Sequence, residues 1–193
     1  MANKFLIQMS GAPGSGKSTI SNLLARAEPI NGVVLNHDLI KSFFLENGFP
    51  FDQSGKLTYS LQWVLAEDMM KQGRNVIIDC PCNFARILEK GIALAHQYGY
   101  EYKYVECKVK LDDIDMLDQR LRDRPTMRSM RTGVSNPPVD ASAGHSESEY
   151  RALFKKWIEN PCRPPGDYIV MDASLKTPEE CLHHILKKLD SSL

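Results

Sequence analysis

The sequence predicts an α/β fold, a doubly wound parallel sheet with helices on both faces. Three observations predict it. Five short apolar runs read as buried strands, near residues 4–9, 32–36, 75–79, 102–109 and 167–171. Stretches with apolar residues at helical spacing stand between them. Their alternation is the mark of βαβ units, because parallel neighbours need a crossover. Residues 1–193 read as a single domain, a length ordinary for one core.

The elements follow in order. Phe5 to Met9 is nearly unbroken apolar chain, and Thr19 to Arg26 places Ile20, Leu23 and Leu24 on one helical face. Gly32 to Asn36 is a second strand. Asp38 then opens a helix carrying Leu39, Ile40, Phe43 and Phe44, and an Asp there suits an N-cap. Asn47 to Ser54, with Gly48, Pro50 and the neighbouring Gly55, reads as a loop. Lys56 to Lys71 repeats Leu57, Leu61, Val64, Leu65 and Met69 at helical spacing, and Gly73 closes that helix. Asn75 to Asp79 is a strand, Asn83 to Tyr98 a helix stopped by Gly99, and Tyr102 to Val109 a strand. Asp112 to Arg124 is a helix with Ile114, Leu117 and Leu121 inward, ended by Pro125. Thr126 to Ser146 lacks periodicity and is rich in Gly, Pro, Ser and Arg, as functional or disordered loops are. Glu147 to Glu159 is a helix, Asp167 to Met171 the last strand, and Pro178 to Leu189 the last helix with Thr177 as N-cap.

Composition narrows the function. Hydrophobic residues at 42% supply a sizeable core. A net charge of zero excludes a globally basic nucleic-acid footprint. No apolar run approaches the roughly 20 residues that span a bilayer, so no membrane partner is expected. The early first strand sets the expectation of no signal peptide. Five scattered cysteines fit reduced thiols in a cytoplasmic setting. Cys80 and Cys82 lack a second Cys/His pair at zinc-site spacing, so they read as small strand-end residues.

One stretch carries chemistry. Gly11, Ala12, Pro13, Gly14, Ser15, Gly16, Lys17 and Ser18 fit G-x-x-x-x-G-K-[ST], followed by Thr19. The stretch lies between a strand and a helix, the context this phosphate-cradling motif needs. Glycines let successive N–H groups turn inward, and the helix N-terminus adds partial positive charge. Lys17 is placed to reach the β- and γ-phosphates of ATP and Ser18 to hold Mg²⁺.

Ligands in open parallel sheets bind beyond the carboxyl ends of the strands. That rule gathers the loop, Asp38 and Asp79 on one rim. Asp38 fits an acceptor-side carboxylate, a helix cap, or both. Asp79 follows Val-Ile-Ile and fits an acid that orders Mg²⁺ water or the acceptor. Arg120 and Arg124 share a helix face, suited to clamping phosphates and stabilising transition-state charge. With residues 120–146 they read as a mobile lid that excludes water. Arg122 reads as solvated, while Arg128 and Arg131 fit either role. Secondary candidates are His37, Lys41 one turn after Asp38, and Asn83 and Arg86 after Asp79. Trp63 and Trp157 read as core, and Asp172, at the end of the fifth strand, fits the nucleotide-base region and a turn role equally.

Together these residues resemble small P-loop kinases of the AAA type, which group polynucleotide 5′-hydroxyl kinase domains with zeta-toxin-like kinases. Gly11 to Thr19 matches the phosphate loop, and Asn36-His37-Asp38 is similar to the segment holding the general base. Asp79 to Asn83, then Arg86, is similar to an Asp-Thr-x-x-Asn stretch, and Arg120-x-x-x-Arg124 to the lid pair. The resemblance implies a P-loop kinase fold with a five-stranded sheet and an Arg-rich lid. It implies an ATP- and Mg²⁺-dependent kinase acting on a hydroxyl, with Lys41, Asn83 and Arg86 on the acceptor side. Lys41 stands where polynucleotide kinases have Arg, and Cys80 where they have Thr. With the neutral net charge, these departures favour a small acceptor such as a nucleoside, sugar or nucleotide sugar. An oligonucleotide 5′-hydroxyl is the close alternative. A nucleotide-dependent switch that binds a protein partner is the alternative from another class.

Overall fold

The computed structural model describes residues 4–81, 83–141 and 144–190. Its sheet runs β2-β3-β1-β4-β5, all parallel. The strands are β1 (Phe5–Ser10), β2 (Val33–Asn36), β3 (Val76–Asp79), β4 (Glu101–Lys108) and β5 (Ile169–Asp172). The helices are α1 (Lys17–Arg26), α2 (His37–Glu46), α3 (Phe51–Lys71), α4 (Ala85–Tyr98), α5 (Ile114–Asp123), α6 (Glu147–Glu159) and α7 (Pro178–Asp190). A 3-10 turn at Leu111–Asp113 leads into α5.

The central strand shows why its sequence is apolar apart from Gln8 and Ser10. All six residues of β1 are buried. Phe5, Ile7 and Met9 pack with Leu24, Leu117 and Ile185 on one side of the sheet. Leu6 packs with Ala66, Met70, Ile87 and Leu94 on the other. With helices on both faces, neither side of the strand meets water.

Two expectations fail in the α2–α3 region. The predicted loop 47–54 is shorter, because α3 begins at Phe51. Pro50 stands just before the helix, where its carbonyl accepts from Ser54 N at 2.8 Å. Gly55 is helical, and a Cβ there would lie 3.7 Å from Lys41 Nζ. It serves the close approach of α2 to α3 rather than a turn.

The predicted inner face of α3 is also misplaced, since Val64 is 63% exposed. The buried stripe is Ser54, Thr58, Gln62, Ala66 and Met70. Three of those five residues are polar, so apolar spacing alone does not pick out the buried stripe, although Leu65 and Met69 pack against the core beside it. Leu39 and Phe43 of α2 are likewise exposed. Among the described residues, no helix is long and apolar enough to cross a membrane.

Candidate active site

The loop after β1 has the backbone a phosphate nest needs. Gly11 has φ +136°, and a Cβ there would lie 2.5 Å from Cys107 O. Only glycine fits that combination of positive φ and close approach. Gly16, at φ +90°, delivers the chain into α1. Lys17 folds back over the loop, donating to Gly11 O at 2.8 Å and Ala12 O at 3.0 Å. Burial lowers its pKa, and the charges of Asp79 and Asp38 oppose that shift.

Strand register brings the two acids to this loop. Asn36 and Asp79 are partners across β2 and β3. Asn36 Nδ2 donates to Asp79 Oδ2 at 3.0 Å, and Asn36 Oδ1 accepts from Leu39 N at 2.9 Å. Asn36, not Asp38, is therefore the N-cap of α2, which leaves the Asp38 carboxylate free of that duty. Asp79 is 4% exposed. Burial raises its pKa, while a hydrogen bond from Ser18 and the Lys17 charge pull it down. Ser18 and Asp79 thus meet at the edge of the nest.

Asp38 is held from the far side of the chain. Ser129 Oγ donates to Asp38 Oδ1 at 3.0 Å. Ser42 Oγ in turn donates to Ser129 Oγ and accepts from Ser129 N, each at 3.1 Å. Arg128 adds a bond to Leu45 O at 3.2 Å and an ion pair to Asp140. The 126–141 segment thus makes defined contacts with α2 in this structure.

A cavity of about 1200 Å³ joins these groups. Its wall includes Pro13 to Thr19, Asp38, Lys41, Asp79, Asn83, Arg120 and Arg124. Gly11 and Ala12 are not on that wall; their carbonyls accept from Lys17 Nζ. Arg86 does not line it; its guanidinium sits 5.1 Å from the exposed Phe84 ring. Arg124 falls just past α5 in extended conformation, as the residue before Pro125 should. The charge of Asp38 acts on it directly. Arg120 bonds Ala173 O at 3.4 Å, beyond β5. Lys41 lies 3.3 Å from the Phe51 ring centroid, and burial lowers its pKa to about 8 against the pull of Asp38 and Asp52.

Sequence reasoning misses several wall residues. Phe51, Tyr59, Phe84, Ser129 and Tyr150 line the cavity, and Trp157 does so as well as packing against the core. For Phe51, Tyr59, Tyr150 and Trp157 the signal is that helices α3 and α6 carry aromatic residues; Phe84 and Ser129 carry no such signal. Cys80 is buried and accepts from Gln8 Nε2 at 3.3 Å, and burial pushes its thiol up to about 12. Cys82 lies outside the described residues.

His37 anchors the base of α2. Gln62 Nε2 donates to Leu35 O at 2.7 Å and Gln62 also bonds the His37 ring, which packs 4.5 Å from the Tyr59 ring. Burial lowers the imidazole pKa to about 4. An unfolded chain protonates this histidine below its ordinary 6.5, while the folded chain keeps it neutral down to about 4. Stability from His37 is therefore present above the unfolded value and lost as pH falls between the two. The expected loss is about 3 kcal/mol. Urea unfolding at pH 7 and pH 4.5 checks it: His37→Gln should flatten the pH dependence by most of that amount. Equal pH dependence in both proteins would assign the acid sensitivity elsewhere.

Comparison with known proteins fits this geometry. A structure from Chloroflexus aurantiacus J-10-fl superposes with TM-score 0.72 at 16% identity, covering 100% of both chains. A sugar kinase from Janibacter sp. HTCC2649 superposes with TM-score 0.62 at 15% identity, over 98% of this chain and 95% of that one. The APS kinase CysC of Mycobacterium tuberculosis, in complex with AMPPNP and APS, gives TM-score 0.61 at 16% identity, over 97% and 98%. At such identities the likeness is one of fold, here the α/β P-loop kinase fold. No curated protein matches the sequence. The family profile described as AAA domain matches residues 6–141, from β1 through Asp38, Asp79, Arg120 and Arg124, and the chain belongs to that family.

Proposed function

We infer that this protein is an ATP- and Mg²⁺-dependent kinase that moves the γ-phosphoryl group of ATP to a hydroxyl of a small molecule. One observation carries the reading: a single cavity is walled by both the phosphate loop and the Asp38 carboxylate. The sugar kinase and APS kinase that share the fold support a small-molecule acceptor.

The residues divide the work. The backbone amides of 13–18 and the α1 N-terminus bind the phosphates. Lys17 exchanges its loop carbonyls for β- and γ-oxygens. Arg120 and Arg124 close on the transferring group and stabilise its spreading negative charge. Asp38 takes the proton as the acceptor oxygen attacks γ-phosphorus, and the β–γ bridging oxygen leaves on ADP. Lys41 and Asn83 flank the acceptor.

The residues also fit the metal. Ser18 offers a hydroxyl oxygen, and Asp79 a carboxylate beside it. No cluster of three His, Cys, Asp or Glu exists among the described residues, which suits an ion that retains water and substrate phosphates in its shell. Ser18 would hold Mg²⁺ with Asp79 ordering its water, and the ion supplies charge neutralisation on the β- and γ-oxygens.

Transfer from labelled ATP across nucleosides, sugars, nucleotide sugars and 5′-hydroxyl oligonucleotides tests the reading. A small-molecule product is expected. Labelled oligonucleotide alone would give the polynucleotide reading instead. ATP hydrolysis without any product would favour the switch.

A further inference from the structure

Among the arginines after α5, Arg131 is the one that the sequence describes worst. Its sequence fits a solvated residue and a functional one equally well, yet it is 8% exposed. Its guanidinium lies 5.1 Å from the Tyr150 ring and 5.1 Å from the Trp157 ring, both on α6. Nη1 donates to Asn136 O at 2.5 Å. The backbone is equally fixed: Arg131 bridges Pro138, and its carbonyl accepts from Arg124 Nη2 at 3.3 Å. The side chain is thus held in one place by rings, loop and lid.

No carboxylate accompanies it. Among the described residues, no ion pair involves Arg131. A buried cation without an acid is costly unless something else compensates it. The two rings and one carbonyl compensate in part. Arg131 lines the cavity, and none of its nitrogens is both buried and unbonded. Any N–H group that Asn136 leaves unbonded therefore keeps some exposure at the cavity wall. A planar fork held rigid, desolvated and short of an anion is the arrangement that binds oxyanions. A purely structural pin between loop and helix would not need open donors.

The nucleotide does not require this arginine. The loop amides, Lys17, Arg120 and Arg124 already surround the phosphates. Arg131 lies in the segment that Ser129 fastens to Asp38, on the acceptor side of the arrangement. We propose that Arg131, clamped by Tyr150 and Trp157, is an oxyanion subsite, and that the acceptor carries a phosphate, sulfate or carboxylate group there in addition to its reacting hydroxyl. Which molecule owns the anion rests on the kinase reading; that an anion binds does not.

Trp157 supplies the probe. The chain has two tryptophans, so Trp63→Phe leaves Trp157 as the sole indole reporter beside the guanidinium. Inorganic phosphate is titrated in that background, with a non-hydrolysable ATP analogue saturating the nest and chloride matching ionic strength. A saturable change in Trp157 fluorescence at millimolar phosphate is expected. Arg131→Gln should weaken it about tenfold or more, and Arg131→Lys, which keeps the charge and loses the fork, should fall between. Thermal melts confirm that each variant folds, and Arg131→Lys carries the comparison should Arg131→Gln not fold.

A response absent from the parent, or unchanged in both variants, overturns the subsite. A response seen without the analogue and abolished by it assigns the anion to the nucleotide and overturns the acceptor's claim. Failure of the kinase reading shows separately, as no binding of the analogue or no transfer in the acceptor screen.

Discussion

Lys17→Ala is expected to lower kcat/KM for ATP-dependent transfer by about 10³-fold or more. In the proposed reaction the lysine is the cation that reaches the outer phosphates, from inside a partly desolvated cavity where its charge is poorly screened. Losing two charge-assisted hydrogen bonds to phosphate corresponds to about 3–6 kcal/mol. In this structure Lys17 Nζ rests on Gly11 O and Ala12 O, so the side chain is stored over the nest it serves. The loop backbone does not depend on it, because Gly11 and Gly16 set the turn. Folding should therefore survive, and the melting temperature should move little. Both KM for ATP and kcat should suffer, since the contact exists before and during transfer. Steady-state kinetics with the acceptor found by screening decide the matter. Turnover within tenfold of wild type would mean that the nest does not handle the transferring phosphate.

Asp38→Asn should lower kcat by about 10²–10⁴-fold, the usual worth of a positioned general base. This substitution is close to isosteric. An Asn carbonyl oxygen can still accept from Ser129 Oγ, which lies 3.0 Å from Asp38 Oδ1, so the geometry is preserved while the basicity is lost. KM for ATP should stay the same or fall slightly. The carboxylate exerts a charge on both Lys17 and Arg124, and removing it leaves those cations freer for phosphate. A fall in kcat with KM for ATP intact is the pattern of a group used only in the transition state. Unchanged turnover with the true acceptor would remove Asp38 as the base. A rise in KM for ATP with kcat intact would make it a nucleotide-site residue.

The same two acids show how far the chain could be read. Asp38 and Asp79 are visible in the sequence because each follows an apolar run that must be a strand, and strand ends share one rim in a parallel sheet. What capped α2 was not visible. The sequence points to Asp38, but the cap is Asn36, whose Oδ1 accepts from Leu39 N while its Nδ2 pairs with Asp79 across β2 and β3. Arg86 fails for a similar reason. Its spacing from Asp79 is right, but α4 carries it away from the cavity and over Phe84.

The sequence by itself determined the sheet, the nest, its lysine and the two acids, because each rests on local chemistry: an apolar run, a glycine-permitted turn, a charge at a strand end. The tertiary structure alone decided the far wall of the cavity. Ser129 reaches Asp38 from 91 residues away, and Arg131 enters an aromatic clamp built by α6. Contacts between distant segments leave no periodicity in the chain, so the role of Arg131 stays open between solvated and functional until the fold encloses it.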